Sequence, residues 1–339
     1  MTKRERVLAS IRRQPLDALP WQFDLTWAVV LKMRAYYGSD DLLTAMDDHL
    51  VSAGFGPGRG VEIPAAGPGL RRNEFGAVWR EGARDVNVGD WGELVEYPLH
   101  EPSLVGYTFP DGAAPGRWDH IPAFRAQYPD HFLMLHGSEL FTSAWGLCGF
   151  ENYLSYIMGE EEFVIEMTEK MADYGCAVVA QARGLGADGI RFGDDWGFQH
   201  GLMIRPEVWR RIFKPQYQRL YQAAHDAGLI VMIHSCGDIV DILPDLIEIG
   251  VQVVHPLQPE AMDVRYCQRE FGKDLTFWGG LGSQSTIPLG TPDDVRREVR
   301  EMLALFRDGG YLLAPAGAIP TEAPAENVAA IVEEARAQF

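Results

Sequence analysis

Basic residues and cysteine are both scarce in this sequence. Its 30 Lys and Arg residues stand against 48 Asp and Glu, which leaves a formal net charge of -18. Nucleic acids and anionic membranes bind to basic surfaces, so neither is expected as a partner. The four cysteines are far apart and suggest no disulfide framework, which is typical of a reducing compartment and predicts a cytoplasmic protein.

Long apolar runs and glycine-rich nucleotide motifs are also absent. No apolar run approaches the length of a membrane span. No GxGxxG or P-loop pattern follows a candidate strand, which argues against a nucleotide-binding fold. The first residues do not resemble a signal peptide, because Thr2 and Glu5 have the spacing of a capping box in front of a helical pattern.

From about residue 130 onward, short apolar runs alternate with longer helical patterns. Most runs follow a glycine, as expected where a helix ends and a buried strand begins. With an early run at 19–23 there are at least seven candidate strands, and repeated βα units predict a parallel sheet closed into a (β/α)8 TIM barrel. A single α/β domain over residues 1–339 is therefore predicted. The later runs lie at 132–135, 189–192, 229–233, 251–254, 275–278 and 311–313.

Two helix boundaries can be read directly from the sequence. Thr291 followed by Pro292 and two aspartates predicts a helix N-terminus. The long helical pattern over 206–227 contains Pro215, which must kink or break it.

Residues 54–115 do not follow the alternation of strand and helix patterns and contain many glycines and prolines. Aromatic and β-branched residues surround glycines in the stretches Glu74-Phe75-Gly76-Ala77-Val78-Trp79 and Asp90-Trp91-Gly92-Glu93-Leu94-Val95. They predict a small β-hairpin insertion near the barrel mouth. A surface decoration without a role at the mouth is the alternative interpretation.

The most informative motif is Ile233-His234-Ser235-Cys236-Gly237, which follows an apolar run. His234 and Cys236 are two residues apart, so in extended backbone their side chains point to the same side. An imidazole and a thiolate are typical zinc ligands. The pair predicts half of a metal site at a strand end, although a backbone-bonded His beside an inert Cys would give the same pattern.

Further polar residues follow the predicted strands. The carboxyl ends of barrel strands share one face, so these side chains are expected to line one cavity. His136, Glu139, Asp194 and Asp195 are the candidate catalytic groups. The candidate substrate-binding residues are Asp24, Trp196, Gln199, His255, Gln258 and Gln284.

Several of these residues have a structural interpretation as well. Asp194 and Asp195 could cap the segment that follows, or one of them could transfer a proton, since adjacent carboxylates in one pocket raise a pKa. His255 could be a structural histidine at a strand end. Trp196 could stack on a flat substrate or pack in the core.

The ordered set of motifs resembles the uroporphyrinogen decarboxylase superfamily over nearly the whole chain. That superfamily includes porphyrinogen decarboxylases and corrinoid-linked methyltransferases, and the resemblance implies a (β/α)8 barrel. A homodimer is a further implication. The motifs are Thr2-Lys3-Arg4-Glu5-Arg6-Val7, Gly193-Asp194-Asp195-Trp196-Gly197, His234-Ser235-Cys236-Gly237, His255-Pro256-Leu257-Gln258-Pro259, Phe277-Trp278-Gly279-Gly280, Gly290-Thr291-Pro292-Asp293-Asp294-Val295 and Pro324-Ala325-Glu326-Asn327-Val328.

Neither branch of the superfamily is matched completely. The methyltransferases look like zinc enzymes that use His-x-Cys plus a later Cys near the last strand, where decarboxylases have a His. This chain has Gly317 in that region, within Ala314-Pro315-Ala316-Gly317-Ala318. The Arg-rich stretch that decarboxylases carry after the first strand corresponds here to Trp21-Gln22-Phe23-Asp24-Leu25-Thr26, without an arginine. The chain is therefore closer to the methyltransferases, because a polyanionic porphyrinogen needs arginines.

The resulting hypothesis is a zinc-assisted methyltransferase that moves a methyl group between a small substrate or corrinoid and a thiol. His234 and Cys236 would bind zinc, with Glu139, Asp195 or His255 in place of the missing cysteine. A corrinoid protein would then be a partner. The alternatives are a metal-free decarboxylase or lyase that uses Asp194 or Asp195, and a non-catalytic ligand-binding barrel.

Overall fold

The computed structural model describes residues 1–80 and 92–338. Each predicted apolar run after residue 130 forms a strand whose ends lie within three residues of the expected bounds. The described strands, in chain order, are β1 (Leu50–Ala53), β2 (Leu70–Arg72), β3 (Val78–Arg80), β4 (Glu93–Glu96), β5 (Phe132–His136), β6 (Gly189–Phe192), β7 (Gly197–Phe198), β8 (Gly201–Leu202), β9 (Ile230–His234), β10 (Val253–Leu257), β11 (Thr276–Leu281) and β12 (Tyr311–Pro315).

The helices begin where the sequence places capping residues. Thr2 and Thr291 each accept a hydrogen bond from the third residue of the helix in a complete capping box. The helices are α1 (Lys3–Ile11), α2 (Trp27–Tyr37), α3 (Leu42–Ala45), α4 (Ile121–Gln127), α5 (Phe141–Cys148), α6 (Phe150–Gly159), α7 (Glu161–Ala180), α8 (Pro206–Ile212), α9 (Lys214–Asp226), α10 (Leu243–Glu248), α11 (Val264–Phe271), α12 (Thr286–Leu289), α13 (Pro292–Leu305) and α14 (Ala325–Arg336), with a 3-10 turn at Val240–Ile242. The expected break near Pro215 falls at Phe213, between α8 and α9.

The parallel sheet closes into a barrel through the segment that was predicted as the first strand. Within the described residues, seven parallel strands pair in the order β1-β5-β6-β9-β10-β11-β12. The backbone N–H of Leu313 donates to Pro20 O at 2.9 Å, and that of Gln22 donates to Leu313 O at 3.0 Å. On the other side, the N–H of His49 donates to Trp21 O at 3.1 Å. This segment therefore takes the place of a barrel strand between β12 and β1, and the predicted (β/α)8 barrel is confirmed.

Apolar side chains fill the amino-terminal part of the barrel interior. Phe132, Met134, Met232 and Trp278 point inward from their strands and pack with residues of α1. Helix α1 contacts β5 and β12 and so covers the amino-terminal end of the barrel. Because this end is closed and apolar, polar chemistry is confined to the carboxyl-terminal mouth.

The 54–115 region forms a small antiparallel sheet in the order β2-β3-β4. Trp79 packs edge-on against Trp145 of α5, with ring centroids 5.2 Å apart. Helix α5 follows the carboxyl end of β5, so the insertion lies on the mouth side of the barrel. The hairpin interpretation of Asp90 and Trp91 lies outside the described residues.

Among the residues that the structure covers, no helix combines the length and the apolar character needed to cross a membrane.

Candidate functional site

A central cavity of about 1020 Å³ opens at the carboxyl ends of the barrel strands. Seven of the predicted site residues line it. They come from the segment that follows residues 19–23, from β5, β6, β9 and β10, and from the loops after these strands. These seven are Asp24, His136, Glu139, Asp195, His234, Cys236 and His255. The predicted residues at these strand ends thus line one cavity that is large enough for a small-molecule ligand.

Side-chain alternation decides which residues after β6 face the cavity. Arg191, Gly193 and Asp195 line it. The alternate residues Phe192, Asp194 and Trp196 are absent from the lining, and each is about 1% exposed. The same period of two brings His234 and Cys236 to the cavity from β9.

Asp195, His234 and Cys236 bring three metal-binding atoms together, all within 4.8 Å of one another. His234 Nε2 lies 3.5 Å from Cys236 Sγ and 3.5 Å from Asp195 Oδ1. Ligand atoms about 2.0–2.3 Å from one zinc ion, at tetrahedral angles, are about 3.3–3.6 Å apart. The two distances measured from His234 Nε2 match this spacing, so the nitrogen, sulfur and oxygen donors could hold a metal ion such as zinc.

Close backbone packing fixes the position of Cys236. Gly237 has φ +81°, and a Cβ there would lie 2.5 Å from the backbone of Phe198. The N–H of Gly237 donates to Gln258 Oε1 at 2.9 Å, and that of Cys236 donates to Asp195 Oδ1 at 2.8 Å. The glycine thus allows a tight turn that holds the thiol beside the Asp195 carboxylate.

The Cys236 thiol is not ionised by the protein alone. Burial raises its pKa to about 12, and the negative charge of Asp195 raises it further. A thiol in such surroundings loses its proton when a cation binds the sulfur. The local electrostatics, with a carboxylate beside a buried thiol, therefore favour a cation at this position.

His255 contacts the other side of the His234 ring. The two Nδ1 atoms are 2.7 Å apart, so one ring donates a hydrogen bond to the other. Burial lowers the pKa of both histidines, which favours neutral rings. When His234 is the donor, its Nε2 carries a free lone pair toward Cys236 and Asp195, as a metal ligand requires.

His136 and Glu139 supply two further titratable groups to the cavity. Burial raises the pKa of Glu139 to about 8, with Asp194 and Asp195 adding to the effect. Burial lowers the pKa of His136 to about 4, and the Arg191 charge lowers it further. Near neutral pH, His136 is therefore a neutral ring and Glu139 a carboxylic acid, which can donate a proton.

Asp194 lies outside the cavity lining and binds the backbone of the β5–α5 loop. Its carboxylate accepts the N–H groups of Leu140 at 2.8 Å and Thr142 at 2.6 Å, and the hydroxyl of Tyr217 at 2.5 Å. Burial raises its pKa to about 6, although these donors oppose the shift. Of the two interpretations that the sequence left open, its contacts favour the structural one, because the carboxylate holds the β5–α5 loop outside the cavity lining.

Four predicted substrate-binding residues also lie apart from the described cavity lining. Trp196 packs against Tyr217 and donates its indole N–H to the Tyr217 hydroxyl at 2.9 Å. Gln258 is buried and supports the Cys236 turn through Gly237. Gln199 donates to the carbonyl of Glu260, and the Gln284 N–H donates to the same residue's carboxylate at 2.9 Å. The side chains of Gln199 and Gln258 and the backbone N–H of Gln284 thus bind loop residues around the mouth, whereas Trp196 packs against α9.

Arg191 and Thr26 line the cavity but were not among the predicted site residues. Arg191 occupies the middle of the short strand β6, in register with His136 of β5. An arginine inside an otherwise apolar buried run is unusual unless it faces a polar space. That anomaly is the signal in the sequence that could have identified Arg191.

Comparison with known proteins places these features in a family. The family model described as uroporphyrinogen decarboxylase matches residues 140–338, more than half of the chain. A curated methylated-thiol–coenzyme M methyltransferase of Methanosarcina mazei is 24% identical over 192 residues, which are 57% of this chain and 49% of that protein. The match thus spans about half the length of this relative.

A solved methyltransferase structure from Methanosarcina mazei superposes with a TM-score of 0.73 at 17% identity and covers 99% of both chains. This likeness supports the barrel fold over the full length of the chain. Both relatives are named methyltransferases, in agreement with the branch that the sequence motifs resemble. The chain belongs to the uroporphyrinogen decarboxylase family.

Proposed function

We propose that this protein is a zinc-assisted methyltransferase that moves a methyl group between a small substrate or a corrinoid and a thiol. The observation that carries the proposal is the separation of the Asp195, His234 and Cys236 donor atoms, which fits a tetrahedral zinc ion at the edge of a ligand-sized cavity. Three protein ligands leave one position of a tetrahedral site for a substrate atom.

His234, Cys236 and Asp195 would hold the metal, and His255 would keep the His234 ring in the required orientation. A bound zinc ion supplies Lewis acidity that keeps a substrate thiol ionised near neutral pH. Glu139 can exchange a proton with the bound substrate, because its raised pKa lies close to neutrality. The apolar packing at the amino-terminal end of the barrel closes that side of the cavity to water.

The relatives support the methyltransferase part of this proposal. Both are named as methyltransferases, and the name of the curated relative includes a methylated thiol. A corrinoid protein as the partner follows from the resemblance of the motifs to corrinoid-linked methyltransferases. Its docking would bring the methyl group to the open mouth, where the metal ligands lie.

A metal-free lyase is the second candidate, and Glu139 is the observation that favours it. Its carboxylic acid is protonated near neutral pH and faces the cavity, so it could protonate a carbanion after bond cleavage. Asp194 does not support this candidate, because its carboxylate is occupied by backbone donors.

Methyl transfer from methylcobalamin to 3-mercaptopropionate tests the proposal directly. Zinc-loaded wild-type protein is expected to form the methyl thioether, detected by mass spectrometry. Cys236→Ser is expected to lower the rate at least about 100-fold, as for loss of a metal ligand. Cys176→Ser is the matched control, because Cys176 lies on α7 outside the cavity lining.

Transfer that is unchanged in Cys236→Ser would contradict the zinc proposal. Absence of transfer to every thiol, together with carbon dioxide release from a carboxylic acid that depends on Glu139, would favour the lyase.

A further inference from the structure

The Glu139 side chain lies directly over the backbone of Gly193, and both residues line the central cavity. A Cβ atom added at Gly193 would lie 2.5 Å from Glu139 Oε1, 3.1 Å from its Cδ and 3.2 Å from its Cγ. These three atoms of one side chain are the nearest neighbours of that position. The Glu139 carboxyl therefore occupies a place that only a glycine at residue 193 leaves free.

The backbone conformation of Gly193 does not itself require glycine. Its φ lies outside the left-handed region, unlike that of Gly237 in the turn beside Cys236. The space around it is what excludes a side chain, and the atoms that fill this space belong to a titratable group facing the cavity. The glycine thus serves the position of that group and not the path of the chain.

The Glu139 carboxyl takes its position from packing. Within the part of the chain that the structure describes, it forms neither a hydrogen bond nor an ion pair. A carboxyl held by bonds would keep its place if one wall of its site changed. A carboxyl held only by packing moves when that wall moves, so the surface of Gly193 determines where Glu139 lies.

The loop that carries Glu139 is tied to the end of β6 on both sides of this contact. The N–H of Gly137 donates to Arg191 O at 2.8 Å, and the N–H of Leu140 donates to Asp194 Oδ2 at 2.8 Å. These bonds keep the loop and the strand end together. A methyl group added to the glycine would therefore displace the carboxyl, which is the flexible end of its side chain, and not the loop.

Gly193 also sets the distance between the Glu139 carboxyl and the donor cluster of Asp195, His234 and Cys236. Gly193 and Asp195 both face the cavity and are two residues apart, which corresponds to about 7 Å in extended backbone. The carboxyl thus lies beside the cluster, with room for a substrate atom between them.

We propose that Gly193 is a positioning residue that keeps the Glu139 carboxyl beside the donor cluster, where it exchanges a proton with the bound substrate. Gly193 acts by leaving space and contributes no functional group of its own. The inference rests on the proposed function in one respect, namely that Glu139 exchanges a proton with the substrate. The position of the carboxyl can be measured without turnover.

Infrared titration of the metal-free protein tests this position. The carbonyl band of the protonated Glu139 is identified by difference from Glu139→Gln. In the wild type the band is expected to disappear near pH 8, because burial and the charges of Asp194 and Asp195 hold the pKa of Glu139 at about 8 against the charge of Arg191. In Gly193→Ala the displaced carboxyl gains contact with water, so its band should disappear at least about one pH unit lower.

Methyl transfer from methylcobalamin to 3-mercaptopropionate by the zinc-loaded protein is the second test. Gly193→Ala is expected to lower kcat about 10–100-fold and to change KM less than about threefold, because a small displacement disturbs proton transfer more than binding. In the Glu139→Ala background the same substitution should change kcat about twofold or less, because the contact is then absent. Gly159→Ala is the matched control, since Gly159 is exposed and a Cβ there meets no atom within 4 Å.

An unchanged infrared titration in Gly193→Ala, or an equal loss of kcat with and without Glu139, would overturn the inference. If Gly193→Ala folds poorly, the Gly193→Ala/Glu139→Ala double variant should recover stability, and equal instability of both would also overturn it. The expected infrared shift without any methyl transfer by the wild type would support the positioning role and refute the methyltransferase proposal. Methyl transfer that needs Cys236 but is indifferent to Gly193→Ala would give the opposite result.

Discussion

Nδ1 of His234 lies 2.7 Å from Nδ1 of His255, while Nε2 of His234 lies 3.5 Å from both the Cys236 sulfur and an Asp195 oxygen. One imidazole thus joins the donor cluster to a buried histidine on the neighbouring strand. The pairing of His234 with His255 in the β9–β10 register brings the rings together. The register of the two strands therefore sets the orientation of His234, the proposed metal ligand.

Removal of the His255 acceptor is expected to weaken metal binding. His255→Phe leaves His234 Nδ1 without a partner and should lower zinc affinity about 10–100-fold, as for other residues that orient metal-binding histidines. His255→Gln retains an acceptor and should lose less. Competition with a chromogenic chelator measures both, and His200→Gln, an exposed position, is the control. Unchanged affinity in His255→Phe would show that the ring contact does not position His234.

Asp194 is expected to matter for stability and not for metal binding. In Asp194→Asn the amide nitrogen would face backbone N–H donors in a buried site, at a cost of about 2 kcal/mol or more in the free energy of unfolding. Urea denaturation measures this loss, and the zinc content of the folded protein should stay near that of the wild type. The neighbouring Asp195→Asn should show the reverse, with zinc lost and a smaller change in stability. Loss of zinc in Asp194→Asn alone would contradict these assignments.

Glu139 is expected to make the metal-free protein less stable as the pH rises. Its pKa is about 8 in the folded chain, above the ordinary value of 4.5, so unfolding releases its proton between these values. Its stabilising contribution is complete below about pH 4.5 and is lost as the pH approaches 8. The Tm of Glu139→Gln relative to wild type should therefore increase from pH 5 to pH 8. Parallel profiles of Tm against pH for the two proteins would exclude the raised pKa.

Uroporphyrinogen is not expected to be an efficient substrate. Recognition of its many carboxylates needs several cationic groups, and Arg191 is the one arginine in the described lining of the central cavity. An assay with anaerobically prepared porphyrinogen should give turnover far below about 1 per second, an ordinary enzymatic rate. Turnover near that rate would refute the expectation.

Much of the fold follows from local sequence signals. Short apolar runs, most of them after a glycine, mark the strands from β5 to β12 that enter the barrel, because buried parallel strands need continuous apolar residues. Strand β1 was missed, since its four residues follow polar loop residues and have no glycine in front of them. The run at 19–23 was found, but it joins the barrel through isolated bridges because proline lacks an N–H donor.

Site residues were predicted correctly where the alternation of side chains along a strand was used. They were missed where this alternation was not used. A period of two identified His234 and Cys236 as neighbours, and the same rule separates Asp195 from Asp194 and places Arg191 with Asp195. The roles of Gln199, Gln258 and Gln284 depend on contacts between loops of different strands, which no local pattern encodes. The sequence offered Glu139, Asp195 and His255 as the third donor, and the choice of Asp195 among them required the tertiary structure.

The zinc content of the purified, untagged protein is the most direct test of the metal cluster. Elemental analysis after dialysis is expected to find close to one zinc per chain in the wild type, less in Cys236→Ser, and none in the His234→Ala/Cys236→Ser double variant. Cys176→Ser should match the wild type. A wild-type content well below one zinc per chain, even after growth and purification with added zinc, would contradict the account.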